Sequence, residues 1–212
     1  MKPKILVLYY SMFGNNFILA QSICQGIRHA GGEDILRTVP ELLPEDVIAG
    51  DERIRRAKEL QKDVTLVSLD DVSGCDGIIL GSPTRFGNMC SQMRNFLDQT
   101  GGLWMKGALI GKPAGVFCCT ASQHGGQETT LITMMLSLLH HGAVIAGVPY
   151  SVPELGSSSH GGTPYGPTAV VGHNADQGPV ESDLLIARAF GKRMTELAQK
   201  LMPDPSQNAG GS

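Results

Sequence analysis

Residues 4–16, KILVLYYSMFGNN, constrain this chain more than any other stretch. An apolar run suited to a buried strand passes directly into a short polar turn containing Gly14. The turn opens a helix expected over Asn15–His29. The first amides of a helix have no partner within it, and the helix dipole favours an anion beside them. Ser11, Asn15 and Asn16 add side-chain donors, and Gly14 permits close approach to the backbone. No lysine sits in the turn. The GxxxxGK[ST] spacing of an ATP-binding loop is missing from it, and so is GxGxxG. The turn therefore suits a dianionic monophosphate held by neutral donors. The plainer alternative is a strand-to-helix loop with a polar cap.

Apolar strands and amphipathic helices alternate along the chain. Strands are expected over residues 5–10, 35–39, 77–81, 113–119 and 143–148, and helices over 15–29, 91–99, 128–140 and 181–201. Such alternation implies an α/β fold with parallel strands and helices on both faces. The strands are near-continuous apolar runs, as strands covered on both faces must be. Five of them suit the doubly wound, flavodoxin-like order 2-1-3-4-5. At 212 residues the chain is long enough for an ample core, and a single domain is expected over 1–202. Three segments stand outside that plan. Residues 41–62 are charged and read as a solvated helix or flexible excursion. Residues 151–178 are rich in Gly, Ser and Pro and too long for an ordinary connection, so a functional or subunit-contact excursion is expected there. Residues 203–212 are polar and Gly-rich, and disorder is expected.

A net charge of −3, with no basic run, argues against nucleic acid as a partner. The apolar part of residues 1–10 is too short for a signal peptide and no small-residue cleavage site follows it; no apolar run reaches membrane-spanning length. The five cysteines, Cys24, Cys75, Cys90, Cys118 and Cys119, are odd in number and form no CxxC. They read as small core residues of a reduced, cytoplasmic protein. Cys118 and Cys119 are adjacent on a strand and should face opposite sides. The six histidines, His140 and His141 among them, show no ligand spacing, so no metal site is expected.

In an open α/β sheet, ligands bind outside the carboxyl ends of the strands at the switch point, where the loops after strands one, three and four converge. Here those loops are residues 11–16, 81–88 (GSPTRFGN) and 119–128 (CTASQHGGQE), each with Gly and small polar residues. The second suits a flat heteroaromatic ring. Pro83 and Gly87 shape the backbone so that its polar groups meet the ring edge, while Arg85 and Phe86 pack near the ring plane. A surface salt bridge is the plainer role for Arg85. The third loop brings its amides and the hydroxyls of Thr120 and Ser122 to the other edge. A flavin needs this arrangement, because donors near its N1–C2=O edge tune its potential. His140, at the end of the next helix, is either a further contact or an ordinary capping or core histidine.

Together YYSMFGNN, GSPTRFGNM, QMRNFLDQTGGLW, GGQET, LLHHG and GGTPYG resemble the WrbA family, the type IV NAD(P)H:quinone oxidoreductases. The resemblance runs from about residue 4 to 201, and PTRFGNM followed by FLDQTGGLW separates this family from simple flavodoxins. It implies a flavodoxin-like fold, noncovalent FMN, NAD(P)H as reductant, quinone acceptors and a homotetramer. By the same resemblance Ser11, Met12, Phe13, Gly14, Asn15 and Asn16 would hold the phosphate. Pro83, Thr84, Arg85 and Phe86 would line the ring. Cys119, Thr120, Ala121, Ser122, Gln123, His124 and Gly125 would hold its other edge. His140 would approach from the helix end or from a neighbouring subunit, and Phe13 and Trp104 would wall the nicotinamide and quinone site. The chain departs from the family at Phe13, where Tyr is common, and in its third loop, one residue longer with His124 inserted.

The expected reaction is a ping-pong, two-electron transfer from NAD(P)H to a quinone, both using one pocket in turn, with no side chain needed as nucleophile. His140 or solvent would supply a proton. The rival reading is a one-electron flavodoxin-type carrier, against which the modest charge and the Trp104 segment argue. A regulatory partner of a transcription factor finds no basic recognition element in the sequence.

Overall fold

The computed structural model describes residues 2–202; the tail expected to be disordered lies outside the described residues. In chain order the elements are β1 (Lys4–Tyr9), α1 (Asn15–His29), β2 (Glu33–Thr38), α2 (Glu45–Gly50), α3 (Glu52–Leu60), α4 (Leu69–Ser73), β3 (Gly77–Pro83), α5 (Ser91–Asp98), α6 (Gly101–Met105), β4 (Pro113–Thr120), α7 (Gln127–His140), β5 (Val144–Ile145), α8 (Pro153–Ser157), β6 (Thr168–Val170) and α9 (Glu181–Leu201). All strand pairings are parallel and the order is β2-β1-β3-β4-β5, with β6 also on β4, so the expected doubly wound α/β sheet is borne out.

The central strands are buried on both faces because helices cover both. Alternate residues of each strand enter opposite apolar layers. Ile5, Val7, Ile79 and Phe117 pack with residues of α1 and α9, including Ile23, Ile27, Phe190 and Met194. Leu6, Leu8, Leu80 and Val116 pack with Met93 and Phe96 of α5 and Leu131, Met134 and Leu138 of α7. Cys118 and Cys119 fall in different layers, as their adjacency on a strand requires. On the first face α1 and α9 touch backbone to backbone. A Cβ on Gly26 would lie 1.9 Å from the Arg188 carbonyl oxygen, and one on Gly191 2.1 Å from that of Ile23.

Two expectations are corrected. The strand expected over 143–148 is only two residues long. After Ala146 N donates to Ala114 O (2.8 Å), the chain leaves the sheet and Val148 N turns to Pro164 O (3.0 Å). The segment 151–178 is not wholly outside the sheet: it returns as β6, aligned with Cys118, Cys119 and Thr120 of β4. One lateral position is thus shared, β5 beside the start of β4 and β6 beside its end. Glycines make the crossing possible. A Cβ on Gly147 would lie 2.0 Å from Pro164 O, and one on Gly166 2.1 Å from Val116 O.

The charged segment 41–62 is also more than a solvated excursion. It forms α2 and α3, and α3 buries Ile54 and Ala57. Glu41 anchors its start. The Glu41 carboxylate accepts from Tyr10 Oη (3.0 Å), Gln92 Nε2 (3.1 Å) and the amides of Leu42 (2.9 Å) and Leu43 (3.0 Å), and it pairs with Lys58. Lys58 Nζ also sits 5.0 Å from the centroid of the buried Tyr10 ring. Burial works against the charge on Glu41, but Lys58, the Leu43 amide and Gln92 outweigh it and hold its pKa below the usual carboxylate value. A depressed folded-state pKa contributes stability that is present above the unfolded value, about 4.3, and disappears as the pH falls through the folded value. Glu41→Gln should therefore be less stable than wild type at neutral pH, and the gap should close as the pH drops below about 4. Urea unfolding at a series of pH values measures this. A gap that stays constant down to the acid limb would show that the Glu41 charge contributes nothing.

Candidate functional site

A cavity of about 350 Å³ opens at the carboxyl ends of β1, β3 and β4. Its walls include Ser11, Met12, Phe13, Asn15 and Asn16 from the first loop, Pro83, Thr84 and Arg85 from the second, and Cys119, Thr120 and Ala121 from the third. The three loops singled out in the sequence do converge. A fourth wall, Val171, Gly172, His173 and Ala175, was not named from the sequence. The signal for it was the excessive length of the 151–178 segment. What places it is β6, which ends beside Thr120 and hands the next residues to the cavity: Val171 N donates to Thr120 O (2.9 Å).

The first loop is built as a cradle. Gly14 has φ +89°, a conformation that admits glycine readily, and it turns the chain into α1. Buried Ser11 accepts the amide of Asn16 on its Oγ (3.1 Å), which leaves the hydroxyl proton to donate elsewhere. Among the described residues the amides of Met12, Phe13, Gly14, Asn15 and Phe17 donate to nothing. Asn16 is buried and its Oδ1 has no partner there either. Asn15 differs from expectation: its Nδ2 is committed to Ala175 O (2.9 Å), so it ties the fourth wall to the turn instead of standing free. Gln61 Nε2, reaching Ser11 O (3.2 Å) and Ala57 O (2.7 Å), braces the turn from behind.

The second loop is a tight turn. Arg85 and Asn88 exchange backbone hydrogen bonds (2.8 and 3.1 Å), with Phe86 at φ +53° and Gly87 at φ +77° between them. Thr84 Oγ1 accepts from Thr130 Oγ1 (2.9 Å) and from Gly87 N (3.3 Å), locking the turn onto α7. Arg85 makes no ion pair among the described residues. Its Nη1 donates to Thr84 O (2.8 Å) and its Nη2 reaches Met12 Sδ (3.5 Å), linking the first and second loops. Phe86, expected to line the ring, is instead fully exposed outside the cavity.

The third loop contributes only its first residues. Thr120 Oγ1 (2.9 Å) and Gly125 N (3.1 Å) both donate to Ser122 O, closing the loop on itself. Ser122, Gln123, His124 and Gly125 consequently lie outside the cavity wall. His124 has φ +53°, its amide donates to Gln127 Oε1 (2.7 Å), and its Nδ1 lies 3.2 Å from Glu128 Oε1. Burial pushes the Cys119 thiol well above its ordinary range, which disfavours the thiolate form.

His140 and Trp104 are not at this cavity. They share a second hollow, about 570 Å³, with residues that include Arg94, Asp98 and Thr100, where Trp104 Nε1 donates to His140 O (2.8 Å). Phe13 and Trp104 therefore do not form one aromatic wall within a single chain. Among the described residues no group of three or more His, Cys, Asp or Glu could hold a metal ion, and no helix is long and apolar enough to cross a membrane.

Partnerless amides and a free hydroxyl, with no cation, fit a monophosphate. The backbone and small side chains of the second and third loops fit a planar ring above it. FMN has both parts. The comparisons agree with that chemistry. The family model described as NADPH-dependent FMN reductase matches residues 3–154. A protein of Chromohalobacter salexigens named NAD(P)H dehydrogenase (quinone) is 48% identical over 204 residues, covering 93% of this chain and 98% of that protein. One of the same name from Geotalea uraniireducens is 42% identical over 201 residues, covering 93% of this chain and 98% of its own. The WrbA-like flavodoxin of Agrobacterium tumefaciens superposes with a TM-score of 0.63 at 22% identity, over 95% of this chain and all of its own, a likeness of fold. The resemblance to the WrbA family is thereby borne out, and the chain belongs to the NADPH-dependent FMN reductase family.

Proposed function

We propose that this protein is an FMN-dependent NAD(P)H:quinone oxidoreductase that reduces quinones to hydroquinones in two-electron steps. The observation that carries the reading is the set of partnerless amides at the start of α1, opening into a cavity walled by the three switch-point loops. Relatives named NAD(P)H dehydrogenase (quinone) support it. When bound, FMN supplies the hydride chemistry; the protein supplies position and electrostatics. The amides of residues 12–15, Ser11 Oγ and Asn16 would hold the phosphate. Pro83, Thr84 and Arg85 on one side, and Cys119, Thr120 and Ala121 on the other, would hold the ring. Five cysteines, all free and buried, suit a reduced, cytoplasmic setting.

Ser11→Ala is expected to weaken FMN binding by about 1–3 kcal/mol, the range for leaving part of a charged acceptor unpaired, and to change riboflavin binding little. Titration of both ligands decides it; equal losses would show that Ser11 does not touch phosphate.

Nicotinamide and quinone would use the cavity in turn, since one ring site cannot hold both above the same face. Initial-rate plots of NADH consumption at several benzoquinone concentrations should then be parallel, with excess quinone inhibiting competitively against NAD(P)H. Intersecting lines would refute the shared site. No NADH consumption at all, in protein that retains FMN, would favour the one-electron carrier instead.

A homotetramer would bring His140 and Trp104 of one subunit toward the cavity of another. Supporting this, the exposed side chains of Trp104 and Leu136 put apolar surface at their hollow. Light scattering should report four chains, with and without FMN. A monomer under both conditions would exclude any contribution of these residues to a neighbour's site.

A further inference from the structure

Arg53 is a surface residue with four hydrogen bonds and one aromatic contact. Asp51, the N-cap of α3, accepts from Arg53 N (2.8 Å), Nε (3.1 Å) and Nη2 (2.6 Å), a two-point clamp on the guanidinium. That clamp leaves Nη1 to donate to Asn174 O (3.2 Å). It also sets the guanidinium carbon 5.0 Å from the centroid of the Phe13 ring, within cation–π range. One side chain thus joins α3, the phosphate turn and the segment after β6.

The segment after β6 forms the fourth wall of the cavity through Val171, Gly172, His173 and Ala175. Among the described residues, two hydrogen bonds tie residues 172–176 to other parts of the chain. One is Asn15 Nδ2 to Ala175 O and the other is Arg53 Nη1 to Asn174 O. The wall also continues from β6 at Val171, and Ala175 packs against the apolar layer that contains α1 and α9. With two side-chain hydrogen bonds as its cross-links, it opens more readily when one of them is removed.

We propose that Arg53 is a positioning residue that latches this wall, holding residues 172–176 and Phe13 closed over the cavity and so slowing release of bound FMN. The proposal rests on the flavin reading above for its ligand, but not for the latch itself.

Three proteins test it: wild type, Arg53→Met and Arg53→Lys. Methionine keeps much of the apolar contact with Phe13 and removes the cation and the donors; lysine restores the cation. Hydrogen–deuterium exchange on the flavin-free proteins reads the latch directly. Amides of residues 172–176 should exchange faster in Arg53→Met than in wild type, while those of β3 stay unchanged and Arg53→Lys falls between. FMN release after dilution, followed by the recovery of flavin fluorescence, should be about tenfold faster in Arg53→Met, the size of one ordinary solvent-exposed hydrogen bond and one exposed cation–π contact together. Unchanged exchange at 172–176 would overturn the latch, as would faster exchange spread evenly over the whole chain. Faster exchange there without any FMN bound to wild type would uphold the latch and sink the flavin reading. Faster exchange with unchanged FMN release would overturn the claim that this wall retains the ligand.

Discussion

Where a fully buried strand ends and a helix begins, the first amides of that helix must find an acceptor. In this protein that junction is β1 to α1, and the turn through Gly14 leaves five amides without partners among the described residues, at the edge where β3 and β4 also stop. A helix start of this kind favours an anion through its unpaired donors and its dipole together. The rest of the ligand edge is arranged around that demand. Thr84, locked by Thr130, and Thr120, locked onto Ser122 O, present short polar side chains and backbone, with no charge except Arg85 at the rim. A neutral cradle selects for a ligand that carries its own charge at one end and a flat, uncharged body at the other.

Holding an unsatisfied turn in place requires support from outside it. The charged run at 41–62 supplies this, and its charges are not equal in importance. The pairs Arg55–Glu52 and Lys62–Glu59 are exposed and contribute at most about 1 kcal/mol each. Glu41 is different, since it gathers Tyr10, Gln92, Lys58 and two amides at the carboxyl end of β1 and is partly desolvated. Gln61 completes the brace by reaching Ser11 O directly. The turn is thus fixed from the sheet side by β1, from behind by α3 and from the front by the wall after β6.

The second hollow follows a different logic. Trp104 is tied to the end of α7 by its indole N–H, yet about half of it faces solvent, in the same hollow as the exposed Leu136. Phe86 stands fully exposed with a positive φ, a conformation that costs energy for a residue with a Cβ. Both aromatics stand at the surface, Trp104 fixed by its indole hydrogen bond and Phe86 carried on the tight turn between Arg85 and Asn88.

Much of the fold was legible because its cause is local. The apolar runs of β1, β3 and β4 declare strands covered on both faces, and the polar residues that follow each one declare the ligand edge. The sheet order and the convergence of three loops follow from that alone. Other features depend on which distant segments meet. Nothing local marks Thr168–Val170 as a sheet strand: three residues in a Gly- and Pro-rich stretch pair with β4 because β5 has already ended and left that side of Cys118–Thr120 open. The fourth cavity wall is a consequence of that pairing. So is the role of Asn15, whose amide looks like a ligand donor in sequence and is committed to Ala175 in space. His140 and Trp104 look like site residues in the sequence, but α6 and α7 set them in a hollow apart from the loop cavity. Residue types and periodicity determined the layers, the switch point and the anion-binding turn, because each depends on neighbours within a few positions. The tertiary structure decided the cavity's fourth wall and the separation of Phe13 from Trp104, because the first depends on contacts across more than a hundred residues, such as the one between Asn15 and Ala175, and the second on how α6 docks against the end of α7.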